Sequence, residues 1–217
     1  MLYIVATPIG NLKDITLRAL EILKSVDTIF AEDTRVTKKL LNHYKISVKL
    51  ESFHEHSSDK KTAQVLSRLQ GGENIAYVTD AGTPGISDPG GKLATMALEQ
   101  GVEVVPIPGA SAVAVIASVA GLKENGFLFV GFLPHKKGKE TLIKSFADSK
   151  YPIIFYEAPT RLVKTLQKIK DILGNREILI GRELTKKFEE IYKADIDSAI
   201  QHLSSKKPKG ELTIVLY

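Results

Sequence analysis

Two stretches concentrate side chains able to do chemistry. "AEDTR" sets Glu32, Asp33 and Arg35 directly behind an apolar run, Thr28–Ala31, that reads as a strand. Capping of the next helix by Asp33 or Thr34, with early acids favoured by the helix dipole, accounts for one acid. It does not account for two acids and a guanidinium gathered at a strand's carboxyl end. The second stretch, Asp80 to Gly91, holds four glycines, two prolines and two aspartates between a strand near Ile75–Thr79 and a helix from Lys92. A plain strand-to-helix turn needs only a few residues. Asp88 followed by Pro89 supplies an N-cap and first helical position. Gly82 and Gly85 let the backbone approach a ligand and offer it N–H and C=O groups. Such a loop reads an adenine or an amino-acid moiety without charged side chains. Because "GxxxxGK[ST]" and "GxGxxG" are both absent, the stretch reads as a small-molecule cleft and not as a phosphate loop.

Three further strand ends carry loops of the same kind: "ATPIGNLKDIT" with Pro8 and Gly10, "PIPGASA" with Gly109 and Ser111, and "FYEAPTRL". In open α/β sheets ligands sit beyond the carboxyl ends of the strands, so these loops are expected to face one crevice. His54 and His56 flank Glu55 in "SFHEHSS", which reads as a polar loop facing the cleft, since two histidines are too few for a metal site. No Ser-His-Asp or Gly-x-Ser-x-Gly arrangement is present.

The elements that must position these loops follow from hydrophobic patterning. Strands are expected near Leu2–Ala6, Thr28–Ala31, Val48–Ser52, Ile75–Thr79, Val102–Pro106, Phe127–Val130, Ile153–Tyr156, Ile178–Ile180, Glu189–Lys193 and Leu212–Leu216. Helices are expected over Thr16–Lys24, Thr34–Tyr44, Lys60–Leu69, Lys92–Gln100, Ala112–Ala120, Lys139–Phe146, Thr160–Leu173 and Ser198–Leu203. Strands written as continuous apolar runs indicate sheets covered on both faces, hence α/β layers. After Ile180 the strands follow one another with little helix, which suggests antiparallel additions to a mixed sheet. The polar, glycine-flanked "GLKENG" at 121–126 marks a boundary, giving α/β domains 1–120 and 121–217 with a ligand cleft between them.

At 217 residues and 43% hydrophobic, the chain can bury a sizeable core. No run approaches the roughly 20 apolar residues of a membrane span. "MLYIVATPIGN" reads as a first strand and not as a signal peptide. With no cysteine there is no disulfide or thiolate metal site, and a cytoplasmic location is expected. The net charge of +5 is uneven: residues 1–108 hold 12 Lys/Arg against 13 Asp/Glu, and residues 109–217 hold 18 against 12. One-sided basicity favours a polyanionic partner such as RNA, with Lys136-Lys137-Lys139, Lys186-Lys187 and Lys206-Lys207-Lys209 as the candidate contacts.

Taken together, "ATPIGNLKDITLRAL", "AEDTR", "VTDAGTPGISDPG", "PIPGASA", "FLFVGFLP", "YEAPTRL", "GRELTKKFEE" and "KGELTIVL" resemble the tetrapyrrole-methylase-like class of S-adenosylmethionine-dependent methyltransferases. Within that class the sequence is similar to the ribosomal RNA small-subunit methyltransferase I family, over essentially its whole length. Porphyrin and corrin methylases carry a Gly-Asp-Pro loop where this chain has Gly82-Thr83-Pro84. The resemblance implies a two-domain homodimer that binds the methyl donor in the interdomain cleft, uses no metal, and methylates the ribose 2′-hydroxyl of a cytidine in the decoding region of 16S rRNA in the 30S subunit. It places donor contacts on Pro8, Gly10, Asp80, Gly82, Thr83, Ile86, Ser111 and Ala112, with Tyr156, Leu184 and Gly210 completing the pocket. Many members continue past the last strand with a small helical extension, whereas this sequence ends at Tyr217.

Methyl transfer from a sulfonium is an in-line displacement, and a ribose hydroxyl at neutral pH needs a base or a charge-stabilising group within reach. Glu32, Asp33 and Glu157 are the candidate bases. Arg35 and Lys186 are the candidates for stabilising the developing alkoxide or clamping a phosphate. His54, His56, Lys136, Lys137, Arg161 and Arg182 are the candidate RNA contacts, the two arginines weighed equally as structural ion pairs. Two other readings stand beside this one: a tetrapyrrole or small-molecule methyltransferase, and a non-catalytic ribosome-binding protein of the same fold.

Overall fold

The structure, a computed structural model, describes all residues except 55–56, 89, 123–125 and 207–208, and omits the side chains of 205 and 206. The chain divides into two compact units, Met1–Ser111 and Ala112–Tyr217.

The first unit alternates strand and helix: β1 (Leu2–Val5), α1 (Leu17–Ser25), β2 (Thr28–Ala31), α2 (Thr34–His43), β3 (Lys49–Ser52), α3 (Asp59–Gln70), β4 (Ile75–Val78), α4 (Gly90–Glu99) and β5 (Val104–Ile107). Its five strands are all parallel, in the order β3-β2-β4-β1-β5. Alternate residues of each strand point to opposite faces. Leu2, Phe30, Ile75 and Tyr77 pack with Val65, Leu66 and Leu69 of α3 and Leu93 of α4. Val5, Ile29, Ala76 and Val78 pack on the other side with Ala19 and Leu23 of α1 and Leu41 of α2. Two covered faces explain why β1, β4 and β5 are apolar at every position and not at every second one, whereas the edge strand β3 carries Lys49, Glu51 and Ser52. Local chemistry starts the helices: the side chains of Thr16, Asp33 and Ser58 accept N–H groups from the first turns of α1, α2 and α3.

The second unit comprises α5 (Ala112–Val119), β6 (Leu128–Phe132), α6 (Lys139–Ser145), β7 (Ile153–Glu157), α7 (Pro159–Leu173), β8 (Glu177–Arg182), β9 (Glu190–Asp195), α8 (Ile196–Lys206) and β10 (Leu212–Leu216). Its sheet runs β6-β7-β10-β8-β9 and is mixed: β6 and β7 are parallel, and every other pairing is antiparallel. β10, buried at all five positions, is the central strand. Leu162, Leu166 and Ile169 of α7 and Ile196, Ala199 and Leu203 of α8 cover one face. On the other, α5 packs against β10, and the Tyr217 hydroxyl donates to the Ala120 carbonyl. A Cβ on Gly181 would lie 2.7 Å from the Ile116 methyl, so β8 approaches α5 closely. These contacts place α5 in the second unit. The division therefore falls after Ser111, ahead of the break at 121–126 read from the sequence, half of which lies outside the described residues.

Candidate active site

In the first unit, β2 hands on to β3 at one side of the sheet, whereas β4 hands on to β5 at the other. The loops behind two neighbouring strands thus diverge and open a crevice at the carboxyl edge, where open α/β sheets bind ligands. Of the loops picked out in the sequence, those after β1, β2, β4 and β5 meet there, whereas "FYEAPTRL" ends β7 in the second unit. Thr7 and Gly82 exchange both backbone hydrogen bonds (2.9 and 3.0 Å), joining the loop after β1 to the loop after β4. The Thr7 hydroxyl donates to the Thr79 carbonyl (3.2 Å), and the Thr83 hydroxyl donates to the Ala110 carbonyl (3.0 Å), which brings in the loop after β5. The Asp33 N–H donates to Asp80 Oδ1 (3.0 Å), which brings in the loop after β2.

The long loop is held open by backbone geometry. Gly82 and Gly85 have φ of 86° and 90°, in the left-handed region that glycine occupies without strain. Asp88 Oδ1 accepts from Gly85 N (2.6 Å) and Gly90 N (2.9 Å), so it closes the loop and starts α4 together. Helix α4 begins at Gly90, two residues before the start expected at Lys92. Pro89, the expected first helical residue, lies outside the described residues. A Cβ on Gly90 would stand 2.7 Å from the Pro84 Cβ and 2.9 Å from the Tyr77 ring, so α4 reaches the loop only because residue 90 lacks a side chain. Gly109 meets Ala6 in the same way, at 2.9 Å. Pro8 is buried, Thr83 and Ile86 are half-buried and Gly10 is exposed.

The acids at this edge differ sharply. Asp33 caps α2 through Arg35 N (2.8 Å) and receives the Arg35 guanidinium (2.6 Å). Those hydrogen bonds hold its carboxyl down at about 2. Asp80 is pushed up by partial desolvation, and the Asp33 N–H offsets part of that. Glu32 is half-buried between Ala31 and Asp33, with its N–H on the Val78 carbonyl. Tyr77 is fully buried on β4, and among the described residues its hydroxyl and that of Thr79 have no hydrogen-bond partner. Burial, followed by the charges of Glu32, Asp88 and Asp80, raises the Tyr77 phenol. The sequence reading passed over Tyr77 and Thr79, whose only signal was position at the end of an apolar strand.

In the second unit, Leu212 pairs with Glu157 on one side and Arg182 on the other, so the ends of β7 and β8 and the start of β10 share an edge. This edge gathers Tyr156, Glu157, Arg161, Arg182, Leu184, Lys186 and Gly210. Glu157 is 1% exposed. Its carboxylate receives the Arg161 guanidinium, Lys139 Nζ (3.2 Å), the Thr165 hydroxyl (2.7 Å) and the Ala158 N–H (2.9 Å). Lys139, grouped by sequence with an exposed basic cluster, thus turns inward, whereas Lys136 and Lys137 stay exposed. Arg182 pairs with Glu190 (3.0 Å). Lys186 bridges Glu183 (2.9 Å) and Glu211 (3.1 Å). Burial alone would lower the Lys186 ammonium, but the two carboxylates raise it above its usual range. Gly210, at φ 91°, lies so close to the Glu183 carboxylate that any Cβ would collide with it. Leu184 is buried, and Tyr156 packs edge-on to Phe129 with ring centroids 5.1 Å apart. Ser111 and Ala112 are half-buried at the start of α5. His54 is exposed, with its N–H on the Ser57 hydroxyl, and His56 lies outside the described residues.

Comparison with known proteins identifies the family. The profile of the tetrapyrrole (corrin/porphyrin) methylases matches residues 1–200. A Thermotoga maritima protein named ribosomal RNA small subunit methyltransferase I is 46% identical over 99% of this chain and 97% of its own length. The Bacillus subtilis protein of that name is 45% identical over 100% of this chain and 74% of its own length. Among solved structures, a diphthine synthase superposes with a TM-score of 0.78 at 13% identity, covering 99% of this chain and 89% of that one. A cobalt precorrin-4 methyltransferase superposes at 0.69 and 18%, covering 99% and 93%. Those two likenesses are of fold. The sequence matches go further: this chain is a methyltransferase that belongs to the tetrapyrrole methylase family, in the branch of ribosomal RNA small subunit methyltransferase I.

Proposed function

We propose that the chain transfers the methyl group of S-adenosylmethionine to the ribose 2′-hydroxyl of a cytidine in the decoding region of 16S rRNA, acting on the 30S subunit in the cytoplasm as a homodimer. The observation that carries this reading is the 46% identity, over nearly all of both chains, to a protein named for small-subunit ribosomal RNA methylation. The carboxyl edge of the first unit fits the donor. Gly82 and Gly85 free the backbone for close approach, Gly90 and Gly109 let α4 and the loop after β5 pack directly against Pro84, Tyr77 and Ala6, and among the described residues the Tyr77 and Thr79 hydroxyls are unpaired beside the loop. Pro8, Gly10, Asp80, Gly82, Thr83, Ile86 and Ser111 in this unit, and Ala112, Tyr156, Leu184 and Gly210 in the second, are its proposed contacts.

The bound donor supplies an electrophilic methyl on a sulfonium. A C–O bond forms at the ribose as the S–C bond breaks, and the hydroxyl proton must pass to a base. Asp33, held at about 2 by Arg35, is a weak base. Glu157 is enclosed by two cations and a hydroxyl, which favours a positioning role for it over proton transfer. Glu32 is therefore the proposed base, and Arg35, 88% exposed at its side chain, the proposed phosphate clamp. Arg161, Arg182 and Lys186 each already hold a carboxylate, so exposed Lys136 and Lys137 are the better suited RNA contacts, and exposed His54 is proposed beside them.

The test offers labelled donor with unmethylated 30S subunits, naked 16S rRNA and a tetrapyrrole in parallel, followed by nucleoside mass spectrometry. The expected product is 2′-O-methylcytidine from a ribosomal substrate. Label on the tetrapyrrole, or donor binding without transfer to any RNA, overturns the reading.

A further inference from the structure

The segment between β8 and β9 presents an aromatic ring on an unusually constrained mount. Phe188 is 67% exposed, and Lys187 Nζ lies 5.6 Å from its ring centroid. A lone exposed phenylalanine is ordinary; the backbone beneath this one is not. Glu183 and Thr185 occupy the left-handed region at φ of 51° and 66°, which is costly for a residue with a Cβ, and most of all for β-branched threonine. The turn persists because it is tied at several points. Lys186 N donates to the Glu183 carbonyl (3.0 Å), Glu189 N to the Lys186 carbonyl (3.1 Å), and Thr185 N to the Glu189 carboxylate. Glu183 Oε1 also accepts from Glu211 N (2.8 Å), which fastens the turn to the start of β10. The acids of the turn are thus occupied, and among the described residues Lys187 has no carboxylate partner.

We propose that Phe188 is a stacking platform for an unpaired base of the RNA acceptor, with Lys187 meeting the adjacent phosphate. The inference rests on the RNA methyltransferase reading and extends it to a substrate-binding residue outside the donor loops. A π face is recognised by any base, and an aromatic ring beside a cation is the recurring unit of single-strand binding. The charge fits: residues 109–217 carry 18 basic side chains against 12 acidic. A rigid mount also lowers the ordering cost of binding.

The chain contains no tryptophan, so Phe188→Trp introduces a single tryptophan, excited selectively over the tyrosines, at the ring. Titration with a cytidine-containing single-stranded oligoribonucleotide is expected to quench it saturably, with an affinity that falls as salt rises. Phe188→Ala is expected to raise KM for unmethylated 30S subunits roughly 5- to 150-fold, the range of one lost base–aromatic stack. Donor affinity by calorimetry and the melting temperature should not move, and Phe188→Tyr should restore KM. An unchanged KM for Phe188→Ala with active wild-type enzyme overturns the platform and leaves the proposed function intact. Dissociation of a dimer by Phe188→Ala, seen by sedimentation without loss of RNA affinity, assigns the ring to a second copy of the chain and also overturns it. Failure of the wild-type enzyme to methylate any RNA overturns the underlying reading instead.

Discussion

The carboxyl edges of the two sheets are built on opposite principles. In the first unit the loops are joined mainly through backbone groups and threonine hydroxyls, and glycines let them pack at close range. In the second, the edge is held by charge: Glu157 with Lys139 and Arg161, and Glu183 and Glu211 with Lys186. The parallel sheet has both faces covered, and the crevice proposed for the donor is lined largely by main chain. The second edge closes around β10, and its buried carboxylate has to be paired to be tolerated at all. One edge should therefore be sensitive to adding atoms and the other to removing charge.

The largest expected effect is on the charged side. Glu157→Ala leaves Lys139 and Arg161 without their shared partner and is expected to cost about 3–5 kcal/mol. Thermal unfolding should drop by roughly 6–20 °C for a chain of this size. A melting point within a degree of wild type would mean that the network is energetically idle and would dissolve the contrast. Next comes Glu32→Gln, expected to lower kcat by about 100-fold or more with donor affinity retained. Full turnover in single-turnover assays would remove Glu32 as base and return the role to its neighbours.

Gly90→Ala sharpens the comparison from the other side. Its methyl meets Pro84 and Tyr77, so a shift of α4 or the loop is required, at about 1–3 kcal/mol. Weaker donor binding by calorimetry is the expected readout, and unaltered binding would show the loop to be slack. The smallest effect concerns charge placed away from the crevice. Hydrogen bonds from Arg68 and Thr28 hold Glu73 at about 2, below its usual 4.5. A depressed carboxylate contributes stability that is present above pH 4.5 and lost as pH falls from there toward 2. Glu73→Gln should flatten the acid limb of the stability curve in denaturant titrations across that window.

Much of this was legible in the sequence. Every expected strand and helix has its counterpart, because buried strands such as "IAYV" and caps such as Thr16, Asp33 and Ser58 act locally. The twelve-residue loop was legible as a backbone device because its glycines and prolines exceed what a turn needs. Partners distant in sequence were not legible. Nothing in "KGKE" says that Lys139 turns inward to Glu157, 18 residues on, nor does "PTRL" say that Arg161 closes the same carboxylate. The division after Ser111 was not legible for a related reason. The apolar face of α5 is plain from Val113 and Ile116, but periodicity does not say that β10, a hundred residues later, is what covers it.

That central position of β10 carries a consequence for synthesis. The parallel sheet has all its strands once Ile107 is free of the ribosome, and domains tend to fold in the order they emerge. The second sheet gains its middle strand last, so until residues 212–216 are released β7 and β8 each show an unpaired edge to their surroundings. Nascent chains stalled or cleaved before Leu212 are expected to carry a finished first unit joined to an adhesive half-sheet, a natural target for chaperones and proteases.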